Sequence, residues 1–296
     1  MIAVAIALSL VIGISLGLLG GGGSILALPI LRYVLGMETH DAIAVSLLVV
    51  GTTSAAAVIP HARKGRVRWR TGIIFGFAGM VGAFAAGRVA HFIPASVLLG
   101  LFGLMMITTA AAMMRGRKQS ADKTMEKSDL PIAKVLAEGL FVGASAGLVG
   151  AGGGFLVVPA LVLLGGLAME VAVGTSLVVI AMQSYAAFAG HLGHAHIDWQ
   201  TAGLVTASAV VGSVIGSALS GKISPEGLRK GFAWFVVAMA FFILGQEVPR
   251  MFGVTPSMLW VLLGTSAGVS LVALVAWALR KFGVIAEAPP KPTPSA

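Results

Sequence analysis

The chain contains no cysteine, and only 11 of its 296 residues are acidic. Without cysteine, disulfides, thiolate metal sites and thiol catalysis are excluded. Charged residues make up 10% of the sequence, against about a quarter in soluble domains. Such a chain cannot cover itself with a water-facing surface, so lipid must cover much of it. The strict alternation of apolar and polar residues that marks a transmembrane β-barrel is missing. No polar region is long enough to form a soluble catalytic domain, so the chain is not read as an enzyme.

Apolar residues are abundant: 57% of the chain is hydrophobic and the mean hydropathy is +0.98. Apolar stretches at 43–59, 72–90, 97–114, 171–189 and 259–279 each approach or reach the length of a helix that crosses the hydrocarbon core. Forty glycines, with Ala, Ser and Thr, interrupt these stretches. They would weaken soluble helices but allow helices to approach closely in lipid. The net charge of +9 does not indicate nucleic acid, which needs a basic face on a soluble module; the basic residues mark loops between spans. Residues 1–20 resemble a signal peptide in apolarity but lack a basic leading region and run into a glycine motif that recurs, so they are read as mature structure.

The sequence repeats itself with a shift of 130 residues, from 17–71 to 147–201. Gly17, Pro29, Gly36, Ser46, Leu47, Ser54, His61, Trp69 and Thr71 recur as Gly147, Pro159, Gly166, Ser176, Leu177, Ser184, His191, Trp199 and Thr201. The equivalent loops differ in charge. Loop 61–70 carries Arg63, Lys64, Arg66, Arg68 and Arg70, whereas its mate, 191–200, has no Lys or Arg. Because Lys- and Arg-rich loops stay in the cytoplasm, the mates fall on opposite sides and the halves are inverted copies. The expected architecture is an all-α polytopic membrane protein. Residues 1–114 form the first repeat, 115–131 a basic cytoplasmic linker, 132–246 the second repeat, 257–281 an extra transmembrane helix and 286–296 a disordered tail. The N-terminus is then extracytoplasmic and the C-terminus cytoplasmic.

Segment 2–35 is too long for one span, and its second arm, 24–35, is too short to cross alone at about 1.5 Å per residue. Each half is therefore expected to hold a re-entrant helical hairpin, broken by glycine at mid-depth, followed by three transmembrane helices. Gly20, Gly21, Gly22 and Gly23 break the first hairpin before Ser24. Gly150, Ala151, Gly152, Gly153 and Gly154 break the second. Non-helical backbone at membrane depth survives only where protein or a water-filled cavity satisfies it, and a helix restarting there points free N–H groups at the turn. Two such turns related by a two-fold axis in the membrane plane make one anion site. The competing reading is that the glycines only let helices pack, but four in succession cover every face and destroy the helix. Ser46, Ser54, Thr175, Ser176, Gln183 and Ser184 are candidate donors to oxyanion oxygens, although Ser and Thr in spans also bond their own helix.

Other polar residues have plainer readings. His191, His194, His196 and Asp198 match no zinc spacing, and no metal or cofactor is expected. His61 and His191 read as helix-end residues, Trp69 and Trp199 as interfacial anchors, and Arg32 and Arg88 as snorkelling cations. Neither glycine motif carries the Gly-Lys-Ser/Thr of a P-loop or the last glycine of the dinucleotide fingerprint, so nucleotide binding is set aside.

The paired motifs at 17–29 and 147–159, with Gly174-Thr175-Ser176-Leu177, resemble the TauE/SafE family of sulfite exporters, also grouped as toluene-sulfonate uptake permeases. In the first copy Ala44-Val45-Ser46-Leu47 replaces the Gly-Thr-Ser-Leu form. The resemblance implies a bacterial-type inner-membrane transporter for a small anion, sulfite or an organosulfonate, in a lipid bilayer; nothing points to an oligomeric state. All acidic residues are expected in loops, tails or near span ends. Accumulating an anion against an inside-negative potential costs about 2.3 kcal/mol per charge per 100 mV. Uptake would thus need coupled cations, and the lack of mid-membrane carboxylates favours export. A cation-coupled importer of sulfonate or sulfate is the alternative, and a scaffold for a partner enzyme is a third reading.

The cysteine-free background makes the topology directly testable. A single Lys64→Cys is expected to react with an impermeant thiol reagent only from the cytoplasm, and a single His194→Cys only from outside. Modification of both from one side would contradict the inverted reading.

Overall fold

The computed structural model describes residues 2–20, 24–115, 132–150, 153–219 and 225–251. Among the described residues there is no strand, and ten α-helices follow one another. They are α1 (Ile2–Leu19), α2 (Ser24–Pro29), α3 (Thr39–Arg63), α4 (Trp69–Ala90), α5 (Ala95–Arg115), α6 (Ile132–Val149), α7 (Gly154–Pro159), α8 (Met169–His191), α9 (Trp199–Leu219) and α10 (Pro225–Met251). α3, α4, α8 and α9 are long and apolar enough to cross a membrane. Most of the linker, the extra span 257–281 and the tail 286–296 lie outside the described residues. α10 runs through residue 246, where the second repeat was expected to end, to Met251, the last described residue.

The helix breaks fall where the glycine motifs place them. α1 ends at Leu19 and α6 at Val149, and the next residues, Gly20 and Gly150, have φ of +62° and +75°, a region costly for any residue with a Cβ. Each short helix that follows ends on a proline, Pro29 or Pro159, and continues as a π-helical turn, Ile30–Val34 or Ala160–Leu164. The wide turns close with Leu35 N–H donating to Ile30 O and Gly165 N–H to Ala160 O, both at 3.0 Å. Proline lacks an N–H and crowds the carbonyl four residues back, so the arms were legible as short segments but not as split ones.

Packing maps onto itself when the halves are exchanged. α1 packs on α9 as α6 packs on α4; α4 packs on α8 as α9 packs on α3; α3 meets α8, and α5 meets α10. Each first hairpin helix thus docks on a helix of the other half. α3 and α8 run in opposite directions. Near one end, Arg66 pairs with Glu170 at 3.2 Å and Arg68 N–H donates to Thr175 Oγ1 at 3.0 Å. Near the other, His196 N–H donates to Asp41 Oδ1 at 2.8 Å. Between them Tyr185 Oη donates to Thr52 Oγ1 at 3.0 Å. The loop carrying Arg66 and Arg68 and the loop carrying His196 therefore lie at opposite ends of this pair.

Small residues set the helix spacing. A Cβ on Gly13 would overlap the carbonyl oxygen of Ala209, and one on Gly143 that of Gly79, so backbone meets backbone across α1–α9 and α4–α6. This is the close approach that drives helix association in lipid, where hydrophobic burial gives little. Outside the helices, Asp198 precedes α9 and accepts from Thr201 Oγ1 at 2.6 Å and Gln200 N–H at 3.1 Å; these bonds, the Thr201 hydroxyl foremost, lower its pKa.

Leucine at Gly13 or Gly143 is expected to lower thermal stability in detergent, by about 1–3 kcal/mol or more, because the backbone must separate. Leucine at Gly203, on α9 with open space around it, should leave stability unchanged. Equal tolerance at all three positions would contradict the packing.

Candidate functional site

The glycine turns are held by side chains from the long helices. Gly17 O and Gly147 O belong to the last turns of α1 and α6, whose terminal carbonyls have no partner within the helix. His61 Nε2 lies 3.4 Å from Gly17 O, and His191 Nε2 lies 2.9 Å from Gly147 O. Both histidines are buried. A contact to a carbonyl requires the ring nitrogen to be the donor, so each ring serves as a latch on a broken helix. The helix-end reading of these residues located them correctly but missed this partnership; their recurrence at matched positions was the available signal.

The two turns begin nearer the span ends than a break at mid-depth implies. Gly150 rests on Ile43 in the early turns of α3, and Ser46 Oγ bonds Gly150 O as well as Ile43 O. Symmetrically, Gly20 rests on Val173 and Ser176 of α8, while Ser176 Oγ donates to Val173 O at 2.8 Å. Ser46 therefore braces the second turn, whereas Ser176 lies beside the first turn and bonds its own helix. Thr175 is turned to the basic loop, where it accepts from Arg68 N–H.

Farther along α8, Gln183 is fully buried and faces the second turn. Its side chain occupies the space that a Cβ at Gly79 would take, and its Oε1 is 3.3 Å from where a Cβ at Gly153 would stand. Ser184 follows it and packs against Gly51 of α3, with Ser54 one turn beyond Gly51. Gln183 Nε2 and Oε1, Ser54 Oγ and Ser184 Oγ are buried and have no hydrogen-bond partner. Buried polar atoms are nearly always paired, and leaving one unpaired costs about 1–3 kcal/mol. Four such atoms lie on α3 and α8, and of these residues Gln183 is beside Gly153.

Ser24 and Gly154, which open α2 and α7, are buried, and α2 packs on α7. Gly21, Gly22, Gly23, Ala151 and Gly152 lie outside the described residues. Thus Gln183 lies beside Gly79 and Gly153, Ser184 lies against Gly51 of α3, and Ser54 is buried one turn farther along α3, whereas Ser46, Ser176 and Thr175 make structural contacts. In the first half Thr53 takes the position of Gln183 and bonds its own helix at Val49 O, so the two halves contribute unequally.

At the end of the molecule where His196 meets Asp41, an open cavity of about 340 Å³ is lined by Glu38, His40, Asp41, His91, His194 and His196. His91 and His194 stack there with centroids 3.7 Å apart. Among the described residues no group of three or more such side chains is placed to hold a metal ion.

The sequence profile of the family described as Sulfite exporter TauE/SafE matches residues 5–243. The chain belongs to this family. A probable membrane transporter protein of Xylella fastidiosa (strain 9a5c) is 35% identical over 240 residues, covering 80% of this chain and 92% of the relative. One from Methanocaldococcus jannaschii is 27% identical over 256 residues, covering 80% and 94%, and YdhB of Bacillus subtilis is 23% identical over 235 residues, covering 79% and 96%. No solved structure matches. This TauE/SafE protein is a multi-pass helical membrane transporter.

Replacing Gln183 with Met removes two unpaired buried atoms while roughly keeping volume. Thermal stability is expected to hold or rise by about 1 kcal/mol. A clear loss of stability would mean that the amide is satisfied and serves the fold.

Proposed function

We propose that this transporter exports sulfite or a related organosulfonate from the cytoplasm across a bacterial-type inner membrane, through two inverted repeats. In this reading the anion binds at the two glycine motifs, Gly20 to Gly23 and Gly150 to Gly154, where the short arms begin at Ser24 and Gly154, with Gln183, Ser54 and Ser184 as side-chain donors. The observation that carries this reading is the set of unpaired buried polar atoms on Gln183, which lies beside the second turn, and on Ser54 and Ser184. An oxyanion would satisfy these hydroxyl and amide donors, and the N-termini of α2 and α7 would add the weak pull of helix ends. Ser46 holds the second turn and Thr175 the basic loop, and Ser176 lies beside the first turn.

The antiparallel course of α3 and α8, which are repeat mates, supports the inverted arrangement with the N-terminus outside and the C-terminus inside. Export follows from energetics: an outgoing dianion gains about twice 2.3 kcal/mol per 100 mV of inside-negative potential, so no obligatory cation is required. Glu247 is the one buried carboxylate among the described residues, and it lies toward the end of α10, away from Gln183 in sequence and helix.

In proteoliposomes loaded with sulfite, a potential that is positive on the acceptor side is expected to speed efflux at fixed pH without sodium. Gly22→Leu and Gly152→Leu should abolish that flux with normal expression, because bulk enters where backbone approaches the ligand. Efflux indifferent to voltage but dependent on a sodium or proton gradient would favour the coupled importer. No flux from correctly folded protein would favour the scaffold.

A further inference from the structure

Gly79 of α4 is the neighbour that lets Gln183 stand where it does. A Cβ on Gly79 would overlap Gln183 Nε2 and crowd its Cδ and Cγ, so the end of that side chain lies in a niche that only a residue without a side chain leaves open. From this niche the amide reaches the second turn. Its Oε1 is 3.3 Å from where a Cβ at Gly153 would stand, and Gly153, with φ of +65°, is the residue from which α7 restarts. Gln183 is fully buried, and neither polar atom of its amide has a partner.

The other half shows the same place without the niche. The 130-residue register of the repeat extends through α4 and α9, because their packing repeats with it. A Cβ on Gly82 of α4 would overlap Leu140 O of α6, and one on Gly212 of α9 would overlap Leu10 O of α1; Gly143 meets Gly79 O as Gly13 meets Ala209 O. The mate of Gly79 is therefore Ala209, and that of Gln183 is Thr53. Ala209 carries a methyl group where Gly79 leaves space. Thr53 is short and fully buried, and it bonds Val49 O of its own helix. Glycine thus goes with a long polar side chain left unpaired, and alanine with a short one satisfied within its helix. Small residues at helix contacts let backbones approach, but Ala209 makes the contact with Gly13 that Gly79 makes with Gly143. Close approach does not require glycine at this position, whereas the amide does.

We propose that Gly79 is a positioning residue for ligand recognition: it holds the Gln183 amide at the second turn and makes the site one-sided, with an amide from the second half and none from the first. Recognition of the anion by that amide rests on the function proposed above; the dependence of Gln183 on Gly79 does not. The amide is a neutral group that donates through Nε2 and accepts through Oε1. A methyl group added at position 79 acts on the ligand only by displacing it.

A double-mutant cycle on the purified full-length protein tests this, with radiolabelled sulfite as the probe and thermal stability read on the same samples. Gly79→Ala and Gln183→Thr are each expected to weaken sulfite binding at least about tenfold, the loss that follows removal of one hydrogen bond to a charged group. Together they should weaken it no more than Gln183→Thr alone, since Gly79 acts through the amide. Gly79→Ala should also lower the melting temperature, and adding Gln183→Thr, which copies the pair Ala209 and Thr53, should restore it. Wild-type affinity in Gly79→Ala, or losses that multiply in the double variant, would overturn the proposal, as would a double variant no more stable than Gly79→Ala. If the wild type bound no sulfite, the anion reading would fail, and the recovery of stability would still decide whether Gly79 makes room for Gln183. Should Gly79→Ala not fold, the double variant is decisive: a folded protein supports the niche, and one that also fails to fold overturns it.

Discussion

A helix that breaks within a protein's packed interior leaves carbonyls and N–H groups that need partners from the surrounding fold, and the described glycine turns of this protein answer that constraint. α1 and α6 both stop at glycines of positive φ. Their last-turn carbonyls are met by His61 and His191, and the turn itself is met by Ser46 at Gly150. Side chains of the long helices thus stand in for the missing backbone partners.

The same economy sets the helix packing. Apolar burial distinguishes little between lipid and protein, so the helices are held by close backbone approach at Gly13 against Ala209 and at Gly143 against Gly79. Because each contact has a mate in the other half, α1 and α6 are each carried by a long helix of the other half. Moving α1 or α6 would therefore disturb both halves together.

Much of this was legible in the sequence because backbone requirements leave residue-specific marks. Glycine runs and Pro29 and Pro159 marked the breaks and the short arms, and the 130-residue shift marked the pairing of elements. The charge contrast between Lys64 and its mate His194 put the two loops at opposite ends, and the contacts Arg66–Glu170 and His196–Asp41 lie at opposite ends of α3 and α8. Partnerships across the fold left no such mark. Nothing in sequence distinguishes Ser184, left unpaired, from Ser176, which bonds Val173, since both are serines of one helix. The latch role of His61 and the tie from Tyr33 to Glu247, 214 residues apart, likewise arise only when helices meet. The π-helical turns after the prolines are a local response that periodicity does not encode.

The central claim is that one anion is held by unpaired polar groups on α3 and α8. Equilibrium binding of radiolabelled sulfite to purified protein tests it most directly, comparing the wild type with a variant carrying Ser54→Ala, Gln183→Ala and Ser184→Ala. The account requires saturable binding of one anion per chain in the wild type and its loss in the variant, with helical content and thermal stability retained. Undiminished binding by a folded triple variant would contradict it.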